Sequence, residues 1–187
     1  MSSQLASRSQ LRWSFARVAL ITVPLVLLLG SLSGRASGSS EDNPWFEGLV
    51  KPAWQPPGWA FPVAWTTLYV LMGLAVALVV AARGARGRWL AVGLFVVQLA
   101  LNLAWSPLFF RMHRIMDAFW LLIAILVAAI ATTVAFGRVR RVAAWLMLPY
   151  LLWLSFAAVL NWRVGELNPK GSRFVPDPGV EVALGQE

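Results

Sequence analysis

Gln98, Asn102, Trp105 and Phe109 recur at i, i+4, i+7 and i+11, the spacing that sets side chains on one face of a helix. They stand in an apolar run over residues 89–110. A carboxamide in a membrane helix must meet protein or a cavity, because lipid offers it no hydrogen-bond partner. Two kinds of chemistry follow. The amides act as bonds between helices, worth about 0.6–2 kcal/mol each, or they form a pocket wall and orient a ligand on which indoles stack. Spacing alone leaves both readings open.

Two further runs carry aromatic faces. Trp65, Tyr69 and Met72 share one face of the run over 61–82, and Trp145, Pro149, Trp153, Phe156 and Leu160 share one in the run over 142–162, with Asn161 beside it. Tryptophan collects at membrane–water interfaces, which accounts for Trp54, Trp59, Trp89 and Trp162 by position. Trp65, Trp105 and Trp153 lie inside the runs. Three indoles and a tyrosine on three helices can line one aromatic cavity, the form that suits a flat, apolar ligand. Ordinary core packing is the alternative. Pro149 removes one backbone hydrogen bond from its helix and predicts a kink.

The usual enzymatic templates are missing. No HExxH, P-loop or nucleophile elbow occurs, and with no cysteine there is no thiolate metal site or disulfide. The single histidine, His113, stands in a basic loop beside Arg111 and Arg114 and reads as facing solvent or lipid headgroups; alone it makes a poor haem ligand. Asp117 opens an apolar run, where it favours the helix N-terminus or pairs with Arg114 three residues earlier. No metal site and no required cofactor are expected.

The elements that position these residues follow from composition. Of 187 residues, 59% are hydrophobic and 13% charged, well above the roughly 45–50% apolar usage of a soluble domain. The apolar residues form five blocks, at 18–34, 61–82, 89–110, 115–136 and 142–162. The last four are each long enough to cross about 30 Å of hydrocarbon as a helix and too continuous for barrel strands. The fold class is all-α: a polytopic membrane protein, a bundle of five transmembrane helices in one domain over 18–168. A basic segment, 1–17, precedes it and a polar tail, 169–187, follows. The first block is short and follows three arginines, so a cleaved signal peptide is a second reading for residues 1–36.

The net charge of +8 does not form one patch, so no nucleic-acid partner is expected; the bilayer is the partner. Nine of the sixteen Lys and Arg fall in the N-terminus, 83–88 and 137–141, one side of a five-span chain. The positive-inside rule then puts the N-terminus in the cytoplasm. The long connector, 35–60, starts as a flexible Gly/Ser run and becomes PWFEGLVKPAWQPPGW. Loops of that length are functional or disordered, and prolines with large aromatics oppose disorder. It reads as an ordered lid on one end of the bundle. Small residues at four-residue spacing (Gly73, Ala77, Ala81; Ala100, Ala104; Ala124, Ala128) suit packing within the bundle and a dimer seam equally.

PWFEGLVKPAWQPPGWAFPVAWTTLYVLMG, QLALNLAWSPLFF and LPYLLWLSFAAVLNWRVGELN, in that order and spacing, resemble the three motifs of the tryptophan-rich sensory protein and translocator protein (TspO/MBR) family, also called peripheral-type benzodiazepine receptors. The resemblance runs over about 44–168. It implies five transmembrane helices, which favours a retained first span, and a pocket between them that opens toward the long loop. It implies binding of porphyrins (protoporphyrin IX or a haem-like tetrapyrrole), sterols and benzodiazepine-type ligands, for transport, sensing or stress-related disposal. Trp65 and Trp153 match the positions whose indoles meet porphyrin; Asn102, Trp105, Pro149, Tyr150 and Asn161 match other recurrent positions. With Phe46, Trp54 and Tyr69 these, Tyr150 excepted, make the expected ligand set. Phe46 stands where many members carry Tyr, and so lacks that hydroxyl. The family's sterol-recognition segment is poorly matched. The competing expectation is an enzyme for light- and oxygen-dependent porphyrin breakdown, with Trp65 and Trp153 as its redox or positioning groups. A homodimer in a bacterial cell membrane is expected, although some members occupy outer membranes.

Overall fold

The computed structural model describes residues 8–39 and 43–173. The chain runs as α1 (Arg8–Ala36), a short α2 (Pro44–Glu47), α3 (Ala60–Ala81), α4 (Arg88–Ser106), α5 (Ile115–Val139) and α6 (Arg141–Leu167). Five of these helices are long and apolar enough to cross a membrane, and no strand occurs among the described residues. Helix α1 starts at Arg8, ahead of the apolar block that opens at 18.

The connections explain the sharp reversals. Gly84 and Gly87 adopt φ of +80° and +77° in the turn between α3 and α4, a region open to glycine at no steric cost. A single extended residue, Arg140 (φ −148°, ψ 110°), joins α5 to α6. Short links set α4 beside α5 and α5 beside α6, and α1 packs along α3 despite the long connector between them, whereas α3 and α4 only graze in spite of their short link, and α3 lies instead between α1 and α6. The core between them is closely packed, with Met72, Ala75 and Val79 of α3, Ile125 and Phe136 of α5, and Met147 and Leu154 of α6 buried.

Helix α1 approaches α3 closely at two glycines. A Cβ on Gly73 would stand 2.7 Å from the Val23 Cα, and one on Gly30 would fall inside the Tyr69 ring. Thr22 Oγ1 donates to the Gly73 carbonyl at 2.8 Å across the same seam. Gly73 and Ala77 thus serve packing within the bundle, while Ala100, Ala104 and Ala124 face outward.

At the far end of α4 the helix widens into a π turn, Pro107–Arg111, closed by Met112 N donating to the Pro107 carbonyl at 3.0 Å. The lid folds over this end. Asn43 Oδ1 caps α2 by accepting from Trp45 N and Phe46 N, both at 3.1 Å, the usual device for orphan amides at a helix start. Trp45 is 2% exposed, and its Nε1 donates to the Gly171 carbonyl at 2.9 Å. Val50 N donates to Asn168 Oδ1 at 2.9 Å while Asn168 Nδ2 donates to the Val50 carbonyl at 2.8 Å. The first residues of the expected polar tail are therefore not free: a 3-10 turn, Gly171–Arg173, is built into the lid, because the indole N–H and the loop backbone need partners that only this segment supplies. Residues 174–187 lie outside the described residues.

Candidate functional site

Helix α4 presents the face read from its spacing. Gln98, Asn102 and Phe109 are buried and Trp105 half-buried. Each of the first two bonds across to another helix. Tyr150 Oη donates to Gln98 Oε1 at 3.0 Å, with both residues 0% exposed, and Tyr69 Oη donates to Asn102 Oδ1 at 3.2 Å. Two tyrosines and two carboxamides from α3, α4 and α6 thus form a polar floor in mid-bundle. Gln98 Nε2 is buried there with no partner among the described residues, a donor that an acceptor on a ligand or a water can engage.

Above the floor sit the indoles. The Trp65 ring is 5.3 Å from Tyr69, 6.5 Å from Tyr150 and 6.4 Å from Trp153. Trp65 and Trp153 meet at 82°, edge to face, so a flat ligand stacked between them requires one indole to turn. Phe61 and Phe156 extend the cluster at 5.9 and 5.5 Å from Trp153, and Trp54 of the lid reaches Phe156 at 5.8 Å.

A second aromatic group lies under the lid. Trp105 stacks on Phe109 at 5.2 Å, and Phe46 meets Phe110 edge-on at 5.4 Å. The π turn brings both phenylalanines round to this side, a common use of such turns. His113 stacks on Trp45 at 4.3 Å and 15°. It is held with φ of +55° and is half-buried, so the solvated histidine read from its basic loop is corrected: the lid's indole covers one face of its ring. Arg114 and Asp117 form the expected ion pair.

The structure thus gathers Trp65, Tyr69, Asn102 and Trp153 in one cluster, and Phe46 and Trp105 in the neighbouring one. Asn161 stands apart; its Nδ2 donates to the Ile115 carbonyl at 2.8 Å and ties α6 to the start of α5. Pro149 is exposed and lines a groove of about 420 Å³ between α3 and α6, together with Ala64, Thr67, Leu68, Leu152, Trp153 and Phe156. The aromatic face read in α6 is offset from the buried one. Trp145 is 70% exposed, and Met147, Tyr150, Leu154 and Asn161 point inward instead. The sequence points to Tyr150 only through the family motif, to Gln98 only through the face of α4, and to Phe61 and Phe110 not at all; a helical period started from Tyr150 rather than Trp145 finds the buried face of α6.

Five membrane-crossing helices around an uncharged aromatic cluster, with a folded loop over one end, define a multi-pass integral membrane protein of the lidded-bundle kind. The chain belongs to the TspO/MBR family, whose model matches residues 21–167. It is 37% identical over 155 residues to the tryptophan-rich protein TspO of Chlorobaculum tepidum, covering 80% of this chain and 98% of that one. It is 40% identical over 153 residues to the human translocator protein (80% and 90%), and 38% identical over 127 residues to protein CrtK of Rhodobacter capsulatus (67% and 79%).

Proposed function

We propose that the protein binds a porphyrin-type tetrapyrrole between its helices and serves its transport, sensing or disposal. The observation that carries this reading is the contact of Trp65 and Trp153 above a neutral polar floor of Tyr69, Gln98, Asn102 and Tyr150. Indoles offer a flat apolar macrocycle stacking surface, and the floor adds a spare N–H donor. Lys51, Arg111 and Lys170 stand at the lid end, where carboxylates of such a ligand meet positive charge. Sterols and benzodiazepine-like compounds are further apolar ligands for the same site. Homodimerisation belongs to the same reading, and the outward Ala100 and Ala104 of α4 permit close approach of a second copy.

The test is a titration of detergent-purified protein with protoporphyrin in the dark, followed by tryptophan fluorescence. Saturable quenching is expected, lost or strongly weakened in a Trp65→Ala, Trp153→Ala double variant that stays folded. Unchanged affinity in that variant would defeat the site assignment. The second reading, light-dependent oxidation of the porphyrin by oxygen, is favoured by the direct contact of two oxidisable indoles. It predicts loss of the Soret band under illumination only when both are present.

A further inference from the structure

The aromatic site has two flanks, and they are closed in different ways. At the lid end, Trp45 is buried and held by the Gly171 carbonyl, and Val50 and Asn168 exchange two hydrogen bonds at 2.9 and 2.8 Å. His113 covers the other side of the indole. A Cβ on Gly171 would meet Ile115 Cδ1 at 2.8 Å and Leu49 Cδ2 at 3.2 Å, so this joint has no slack. Opening the lid means breaking three hydrogen bonds and exposing a buried indole at once.

The α3–α6 flank lacks such closure. Among the described residues no side-chain hydrogen bond joins α3 to α6, and Thr67 Oγ1 bonds within its own helix, to the Val63 carbonyl at 2.9 Å. The small Ala64 and the compact Pro149 leave the groove of about 420 Å³ between the two helices. Leu152 at its mouth is 74% exposed and lies in the middle of a membrane-crossing helix, so the mouth faces hydrocarbon. Trp153 forms part of the groove wall, and the same ring meets Trp65. One indole is thus the partition between the groove and the aromatic site.

We infer that a flat, apolar ligand dissolved in the bilayer enters sideways, docking in the α3–α6 groove and passing Trp153, while the lid stays shut. This rests on the tetrapyrrole reading above. The groove lining is almost wholly apolar and matches such a ligand. Rotation of one side chain joins groove and site, whereas the aqueous route requires a cooperative opening of the lid. The groove is therefore the docking surface for the membrane-dissolved ligand, and Trp153 is its gate.

The chain has no cysteine, so a Leu152→Cys variant carries a single thiol at the mouth. Association and dissociation of protoporphyrin are followed by stopped-flow tryptophan quenching in vesicles, before and after coupling a bulky maleimide to that thiol. Both rates are expected to slow by about tenfold, equivalent to a barrier higher by about 1.4 kcal/mol, while the equilibrium affinity stays unchanged. Asn168→Ala, which loosens the lid, is expected to leave both rates as they are. Unchanged rates after blocking, or faster association in Asn168→Ala, would overturn the sideways route. Absence of saturable quenching in the unaltered protein would remove the tetrapyrrole reading and the route with it, so the two failures are told apart.

Discussion

Ser33 Oγ of α1 donates a 2.6 Å hydrogen bond to the carbonyl of Leu103 in α4. That carbonyl lies four residues before Pro107, which continues the helix with φ −57° and ψ −42° but has no N–H to give it. A neighbouring helix thus supplies the donor that the sequence of α4 withholds, as freed backbone groups in membrane helices require. The π turn that starts at this proline then aims Phe109 and Phe110 at the lid.

Ser33→Ala is expected to lower stability by about 1 kcal/mol, read as a lower thermal midpoint in detergent. Pro107→Ala restores an amide for Leu103, so the serine loses its purpose in that background. The double variant is expected to lose less than the two single losses together. Strict additivity would show that Ser33 serves something else.

Gly30→Ala is expected to cost about 1–3 kcal/mol, the usual range for overpacking, because the new methyl group occupies the space of the Tyr69 ring. The displaced ring gives up its bond to Asn102, so porphyrin affinity is expected to fall as well. Gly93→Ala is the control: nothing stands within 4 Å of its Cβ position, and its midpoint is expected to stay level or rise slightly. Equal losses in the two variants would contradict this account of the α1–α3 seam.

Tyr150→Phe leaves Gln98 without its hydroxyl partner in a dry interior. A loss of about 0.6–2 kcal/mol is expected. Adding Gln98→Leu removes the stranded amide too, and replacing both partners by apolar groups tends toward neutral. The double variant is therefore expected to be no less stable than Tyr150→Phe alone. Chemical denaturation in mixed micelles reads the difference, and a further drop in the double variant would count against the pairing.

Gly171→Val is expected to spring the lid while sparing the bundle. Amide hydrogen exchange of Trp45, Phe46, Glu47 and the residues just after them should accelerate by at least about tenfold, with exchange in the middle of α5 unaltered. Protection unchanged at Trp45 would mean that the C-terminal turn does not hold the lid.

Long-range partners were the part hidden from sequence. Apolar runs of twenty or more residues announced the four later helices, because only a membrane tolerates them, and the amide period of α4 named its inward face. In α6 the period misleads. Trp145 and Pro149 align with Trp153 by period, yet the helix turns Tyr150 inward and leaves those two at the lipid side; tryptophan is common on both surfaces, so its spacing carries little orientation. The partnership of Asn168 with Val50, and of Gly171 with Trp45, could not be read from local pattern at all. Composition marks residues 169–173 as a tail, and nothing in a polar tail says which backbone, more than a hundred residues earlier, needs its carbonyls.

The joint between lid and C-terminal turn spans 118 to 126 residues of chain, with four helices in between. A ribosome makes the loop early and its fastenings last. During synthesis the Trp45 indole N–H therefore has no Gly171 carbonyl to bond until α6 is made and residue 171 has emerged. The lid's fastening is thus complete only once the last of the five spans has been made.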